Sequence, residues 1–111
     1  MSKEKLYIFD TTLRDGAQTQ GVDFSIDDKL KIAEALDSLG VDYIEGGWPG
    51  ANHTDTEFFQ KKINCKNSTL TAFGMTKKTG RSADNDPGLS ALINSNTKAV
   101  CIVGKSWDFH V

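Results

Sequence analysis

The apolar positions of this chain keep two rhythms that alternate from one end to the other. Leu6-Tyr7-Ile8-Phe9, Val41 to Gly47, Leu70 to Gly74 and Ala99 to Val103 are short apolar runs bounded by polar or glycine-containing turns, and they predict buried strands. Between them the apolar residues spread to helical spacing. Ile26, Leu30, Ala33 and Leu36 predict a first helix, opened by Ser25 with Asp28 as an approximate capping box and stopped at Gly40. Phe58, Phe59 and Ile63 mark a short second helix behind the capping-box pattern of Thr54 and Glu57. Asp86-Pro87 supplies an N-cap and a proline at the first position of a third helix, carried by Leu89, Leu92 and Ile93. Strict alternation of four strands and three helices predicts an α/β fold with a parallel sheet and right-handed crossovers. The rhythm alone leaves a doubly wound sheet and part of a barrel equally open.

No linker or low-complexity tract interrupts the beat, so residues 1–111 read as a single small domain. A net charge of −2 gives no electrostatic case for a nucleic-acid partner or an anionic membrane surface. The apolar run after Met1-Ser2-Lys3-Glu4-Lys5 is too short for a signal peptide, and no span approaches transmembrane length, so the expected location is cytoplasmic. Cys65 and Cys101 form no Cys-x-x-Cys pair, and Cys101 is expected to act as a small buried hydrophobe.

In both architectures ligands gather at the carboxyl ends of the strands. The chemistry-bearing residues fall there. Arg14 and Asp15 follow the first strand, Glu45 closes the second, and Lys105, Asp108 and His110 follow the fourth. A hard divalent cation wants an oxygen ligand such as Asp15, and the adjacent Arg14 guanidinium can neutralise an oxyanion on a metal-bound substrate. The alternative is a structural Arg14–Asp15 pair that pins a tight turn. Gly46-Gly47 fits a close backbone approach to a ligand or a plain turn. Trp48 and Trp107 suit aromatic packing better than pocket walls, and His53 reads as an exposed loop residue. No glycine-rich phosphate loop and no His-x-His spacing is present.

The segment Asp10-Thr11-Thr12-Leu13-Arg14-Asp15-Gly16-Ala17-Gln18 resembles the signature of the pyruvate carboxyltransferase-like metalloenzymes, also called DRE-TIM metallolyases. That group includes 2-isopropylmalate, homocitrate and citramalate synthases and 3-hydroxy-3-methylglutaryl-CoA lyase. Asp42 to Gly50 and Gly104 to Val111 resemble its citramalate-synthase branch, so the likeness covers essentially the whole chain. The resemblance selects the barrel: a complete (β/α)8 barrel needs about 250 residues, so it implies the N-terminal portion, from a first to a fourth strand. The implied activity is a metal-assisted aldol condensation of acetyl-CoA with pyruvate or a related 2-oxo acid by a homodimeric enzyme.

The resemblance also implies site roles. Asp15 would ligate the divalent metal (Mg, Mn or Zn), and Arg14 would contact the keto acid and stabilise its developing alkoxide. Glu45 would be an active-site carboxylate, unless a neighbouring Lys or Arg simply satisfies it. Gln18 matches a position near the substrate, with a solvated loop amide as the alternative. His110 would line the keto-acid pocket or lie on the surface, and Lys105 would meet a CoA phosphate or, as favoured, solvent. The family's His-x-His pair and its later catalytic carboxylate are absent from these residues, so the chain alone is expected to be inactive. The alternatives are 2-isopropylmalate synthesis and a non-catalytic half-barrel that self-associates or docks on a partner.

Overall fold

A computed structural model describes residues 4–105. Four strands, β1 (Phe9–Asp10), β2 (Tyr43–Gly47), β3 (Thr69–Met75) and β4 (Ala99–Val103), form one sheet in the order β1-β2-β3-β4. All three pairings are parallel. Helices α1 (Ile26–Leu39), α2 (His53–Gln60) and α3 (Pro87–Ile93) make the crossovers. A doubly wound sheet reverses its strand order at a switch point. Here every crossover advances to the next strand in the same direction, which is the order of a barrel.

The caps explain where the helices begin. Ser25 Oγ accepts the Asp28 N–H at 3.1 Å, and the Asp28 carboxylate accepts the Ser25 N–H at 3.0 Å, so the capping box is complete. Gly40, at φ 90°, closes α1 in the left-handed conformation. Asp86 caps α3 through the Gly88 and Leu89 N–H groups, with Pro87 behind it. The second helix departs from expectation. Its cap is Asn52, whose Oδ1 accepts the Asp55 N–H at 2.8 Å. His53 is therefore the first helical residue, Thr54 lies inside the first turn, and Ile63 falls beyond the end at Gln60. Asn is as good an N-cap as Thr, and the earlier start leaves the Asp55 side chain free for another contact.

The core lies on one face of the sheet, where Leu13, Ala33, Val41, Ile44, Phe58, Phe59, Ala72 and Leu92 are buried together. Gly46 lets α2 come close: a Cβ there would lie 2.6 Å from the Phe58 ring. Two side chains lace the connections. The Asp37 carboxylate accepts the N–H groups of Lys66, Asn67 and Ser68, each at 2.8 Å, and so ties the end of α1 to the approach to β3. Asp42 Oδ2 accepts the Ile8 N–H at 2.7 Å and fixes the lead into β1.

Two strands predicted as buried are edges instead. Leu6 is 84% exposed and Phe9 43%, and only Phe9–Asp10 of that apolar run pairs as strand. Val100, Ile102 and Val103 of β4 are also exposed, and Cys101 is half-buried. Each edge strand has one neighbour, and no other described element covers its apolar side chains. Ile93, expected to carry α3 inward, points to solvent. Val41 and Asp42 precede β2 rather than open it. No helix among the described residues is long and apolar enough to cross a membrane.

Candidate active site

The loop after β1 is wound tightly by its own polar groups. The Asp10 carboxylate accepts the Thr12 N–H and hydroxyl, both at 3.0 Å. The Thr11 carbonyl receives the N–H groups of Arg14, Asp15 and Gly16 at 3.2, 2.8 and 3.1 Å. Leu13, fully buried, anchors this coil in the core. With Leu13 committed to the helix-covered face, Arg14 is turned to the other side of the sheet.

There Arg14 meets Glu45. Along β2, Ile44 belongs to the core cluster, so the alternation puts Glu45 on the opposite face. Arg14 Nε donates to Glu45 Oε1 in an ion pair whose side chains are 20% and 1% exposed. The strand register pairs Glu45 with Thr71 and Phe73 with Cys101. The Arg14 guanidinium carbon lies 4.2 Å from the centroid of the Phe73 ring. Trp48 packs edge-on against Phe73 at 5.1 Å. Among the described residues, no hydrogen bond engages the terminal guanidinium nitrogens of Arg14 with a carboxylate. A planar fork with free donors is the geometry that binds a carboxylate or an oxyanion. The Cys101 thiol is pushed up by burial, and secondarily by the Glu45 charge beside it, which keeps it protonated.

The turn-pinning alternative does not hold, because Arg14 pairs with Glu45 and not with Asp15. Asp15 is exposed, and its carboxylate caps no N–H at the head of the 3-10 turn Gly16–Gln18. Gln18 is exposed at the end of that turn, and Lys105 is exposed just past β4. His53 is 91% exposed and sits 3.4 Å from Glu57 one turn along α2. Trp107, Asp108 and His110 lie outside the described residues. The structure thus brings Arg14 and Glu45 together, with Asp15 and Gln18 on the same loop. Among the described residues no three His, Cys, Asp or Glu side chains converge as a metal centre. Asp15 fits as one oxygen donor, and by itself it does not complete a site.

Two features escaped the sequence reading. Phe73, under the guanidinium, reads in sequence only as a strand residue. The second is a buried ion pair beneath the β2–α2 loop. Lys29 Nζ donates to Asp55 Oδ1 at 2.5 Å with the lysine side chain 1% exposed, and Asp55 Oδ2 accepts the Trp48 N–H at 3.0 Å. The signal for it was present: Lys29 lies three residues after Ile26 and four before Ala33, on the apolar side of α1. This pair also explains Gly47. At φ 149°, a Cβ there would lie 2.7 Å from the Asp55 carboxyl carbon and 2.9 Å from Lys29 Nζ. The close approach at Gly46-Gly47 is to the protein's own side chains. Beyond Trp48, a cavity of about 550 Å³ lined by Met75, Lys78, Arg81 and Asp86 opens between the end of β3 and α3.

The sequence that builds this site is similar to those of known proteins. The chain is 56% identical to the (R)-citramalate synthase of Aquifex aeolicus over 110 residues, covering 97% of the chain and 21% of that protein. It is 48% identical to the (R)-citramalate synthase of Streptomyces coelicolor over 111 residues, again 97% of the chain and 21% of the relative. Its identity to 2-isopropylmalate synthase 1 of Caldanaerobacter subterraneus is 39% over 112 residues, covering 100% of the chain and 27% of that protein. The chain therefore spans about a fifth of the length of the citramalate synthases it matches. The HMGL-like family model matches residues 5–86, which carry the Arg14 loop, Glu45 and Phe73, and the chain belongs to that family, its parallel strands corresponding to the N-terminal part of a TIM barrel.

Proposed function

We propose that this chain is the N-terminal part of an acyltransferase of the citramalate-synthase type, which joins the acetyl group of acetyl-CoA to pyruvate or a related 2-oxo acid. In that reaction the acetyl methyl loses a proton, its carbon bonds to the ketone carbon, and water cleaves the thioester to release CoA. The observation that carries the reading is the Arg14 fork, held by Glu45 at the end of the strands, with its terminal nitrogens unengaged by carboxylates among the described residues. Arg14 receives the keto-acid oxygens and gains strength as the ketone oxygen becomes an alkoxide. Glu45 fixes the guanidinium through Nε. Asp15 would contribute one ligand to a divalent ion, which supplies Lewis-acid polarisation of the ketone when bound. Lys78 and Arg81, partly offset by Asp86 in the same lining, would be the groups to meet a phosphorylated co-substrate such as acetyl-CoA in the cavity past Trp48.

The test is an assay of the full-length protein with acetyl-CoA and a panel of 2-oxo acids, following thiol release and the mass of the product. Pyruvate is expected to give citramalate, and treatment with a chelator is expected to stop turnover. Preference for the branched 2-oxo acid that yields 2-isopropylmalate would favour the second reading, which the identity to the Caldanaerobacter protein supports. Thiol release with no 2-oxo acid in the panel would end both.

A further inference from the structure

The ion pair with Glu45 leaves one degree of freedom in Arg14 undetermined. A single hydrogen bond at Nε holds the guanidinium at one point, and the plane can still tilt about it as the flexible aliphatic stem shifts and carries Cδ round. Bidentate recognition of the oxygens that all 2-oxo acids share requires that plane to be fixed, because a fork reads a carboxylate only when both nitrogens lie in register with its oxygens. The second point of attachment is the ring under the guanidinium carbon, 4.2 Å away.

That ring is itself immobilised. Phe73 is buried, and it lies on β3, which is paired on both sides. Trp48 meets it edge-on, with ring planes at 75° and centroids 5.1 Å apart. The Trp48 backbone is held in turn by Asp55, whose charge Lys29 neutralises within the fold. Phenylalanine carries no hydrogen-bonding group, so it orients the cation without competing for the donors that substrate would use.

We propose that Phe73 is a positioning residue for Arg14: its ring face sets the plane of the guanidinium, so that the terminal nitrogens meet the substrate as a fork. The proposal rests on the reading of Arg14 as the cation that faces the 2-oxo acid.

The test uses the full-length protein with Phe73→Leu and Phe73→Met, which keep apolar bulk without the ring, and Phe73→Tyr, which keeps the ring face. Crystal structures of the variants report where the Arg14 guanidinium lies. In the Leu and Met variants it is expected to be rotated or disordered, with kcat/KM for the 2-oxo acid down on the order of tenfold and the melting temperature little changed. In the Tyr variant position and rate are expected to be retained. Repeating Phe73→Leu in an Arg14→Lys background should cost almost nothing further, since an ammonium has no plane to hold. An Arg14 side chain that superimposes unchanged in the ring-less variants overturns the proposal. So does an equal loss from Phe73→Leu in the Arg14→Lys background, which marks a merely structural ring. A wild-type protein that turns over no 2-oxo acid defeats the proposed function, while the crystallographic comparison still decides the role of Phe73.

Discussion

Two ion pairs flank β2, and each sets a cation against an aromatic ring, yet they are built for opposite ends. Arg14 pairs with Glu45 on the open face of the sheet, one-fifth exposed, above Phe73. Lys29 pairs with Asp55 beneath the β2–α2 loop, 1% exposed, with its ammonium 4.9 Å from the Phe58 ring centroid. The residue types suit the difference. A lysine ammonium is a compact charge that a single carboxylate and a buried pocket can satisfy, whereas a guanidinium can give one N–H to a structural partner and keep a fork for something else. Asp55 spends its second oxygen on the Trp48 backbone, so that pair is closed and the loop is fixed. The open pair is the one on which the proposed function rests.

The largest expected effect comes from opening the closed pair. Removing one partner of a buried ion pair leaves an uncompensated charge and costs about 3–5 kcal/mol. Asp55→Ala and Lys29→Ala are each expected to lower the unfolding free energy by that order in denaturant titrations. Replacing both residues with apolar ones of similar volume should recover much of the loss, because no charge is then stranded. The recovery should be incomplete, since the Trp48 N–H would still lack its acceptor. Full additivity of the single losses would mean the two residues do not act as a pair.

The open pair should instead register in rate. Arg14→Ala is expected to lower kcat by about 10²–10³-fold, the range for deleting an oxyanion donor. Arg14→Lys should keep the charge balance with Glu45 and so the stability, while losing the fork and most of the rate. A change confined to KM would recast Arg14 as a carboxylate clamp used equally in the ground and transition states. Asp15→Ala sharpens the contrast further. Its exposed carboxylate caps no backbone N–H among the described residues, so stability should move within about 0.5 kcal/mol while metal-dependent turnover disappears. Retained turnover would remove Asp15 from the ligand set.

How far the sequence carried these assignments follows from what each rests on. The alternating rhythm, the caps at Ser25 and Asp86 and the stop at Gly40 are local, and they stand where the pattern put them. The cap of α2 was misplaced because Asn52 and Thr54 are both competent, and the choice depends on Asp55 being needed by Lys29 and Trp48. The exposure of β1 and β4 cannot be read from their apolar runs, which look the same at an edge as in the middle of a sheet. It follows instead from counting four strands, since a sheet that does not close leaves its two end strands as edges. At the site, Arg14 and Glu45 were legible as types at strand ends, and a neighbouring Lys or Arg satisfying Glu45 was one of its two readings; that Arg14 is that cation was not legible. The pairing is set by the winding around the Thr11 carbonyl, which turns Arg14 away from Asp15. Phe73 was hidden for the same reason: contact across 59 positions of chain has no signature in local spacing.

The smallest effect distinguishes both ion pairs from a third way of holding charge. Among the described residues Asp37 pairs with no cation; the backbone N–H groups of Lys66, Asn67 and Ser68 converge on it, and the hydrogen bond from Lys66 leads in holding its carboxyl below the ordinary 3.8. Asp28 and Asp86 are lowered in the same manner, by the Ser25 N–H and the Lys78 N–H first. A carboxylate whose folded pKa is depressed binds fewer protons folded than unfolded, so its contribution is complete above the unfolded value and is lost as pH falls through the folded one. Melting temperature should therefore hold near neutrality and decline from about pH 3.8 downward, where the unfolded chain takes up protons that the folded carboxylates still exclude. Asp37→Asn isolates the term. The variant should melt lower than the wild type at pH 7, because an amide cannot offer two charged oxygens to three donors, and the gap should narrow as pH drops below 3.8. A gap that stays constant from pH 7 into acid would show that Asp37 contributes shape to the α1–β3 connection rather than charge.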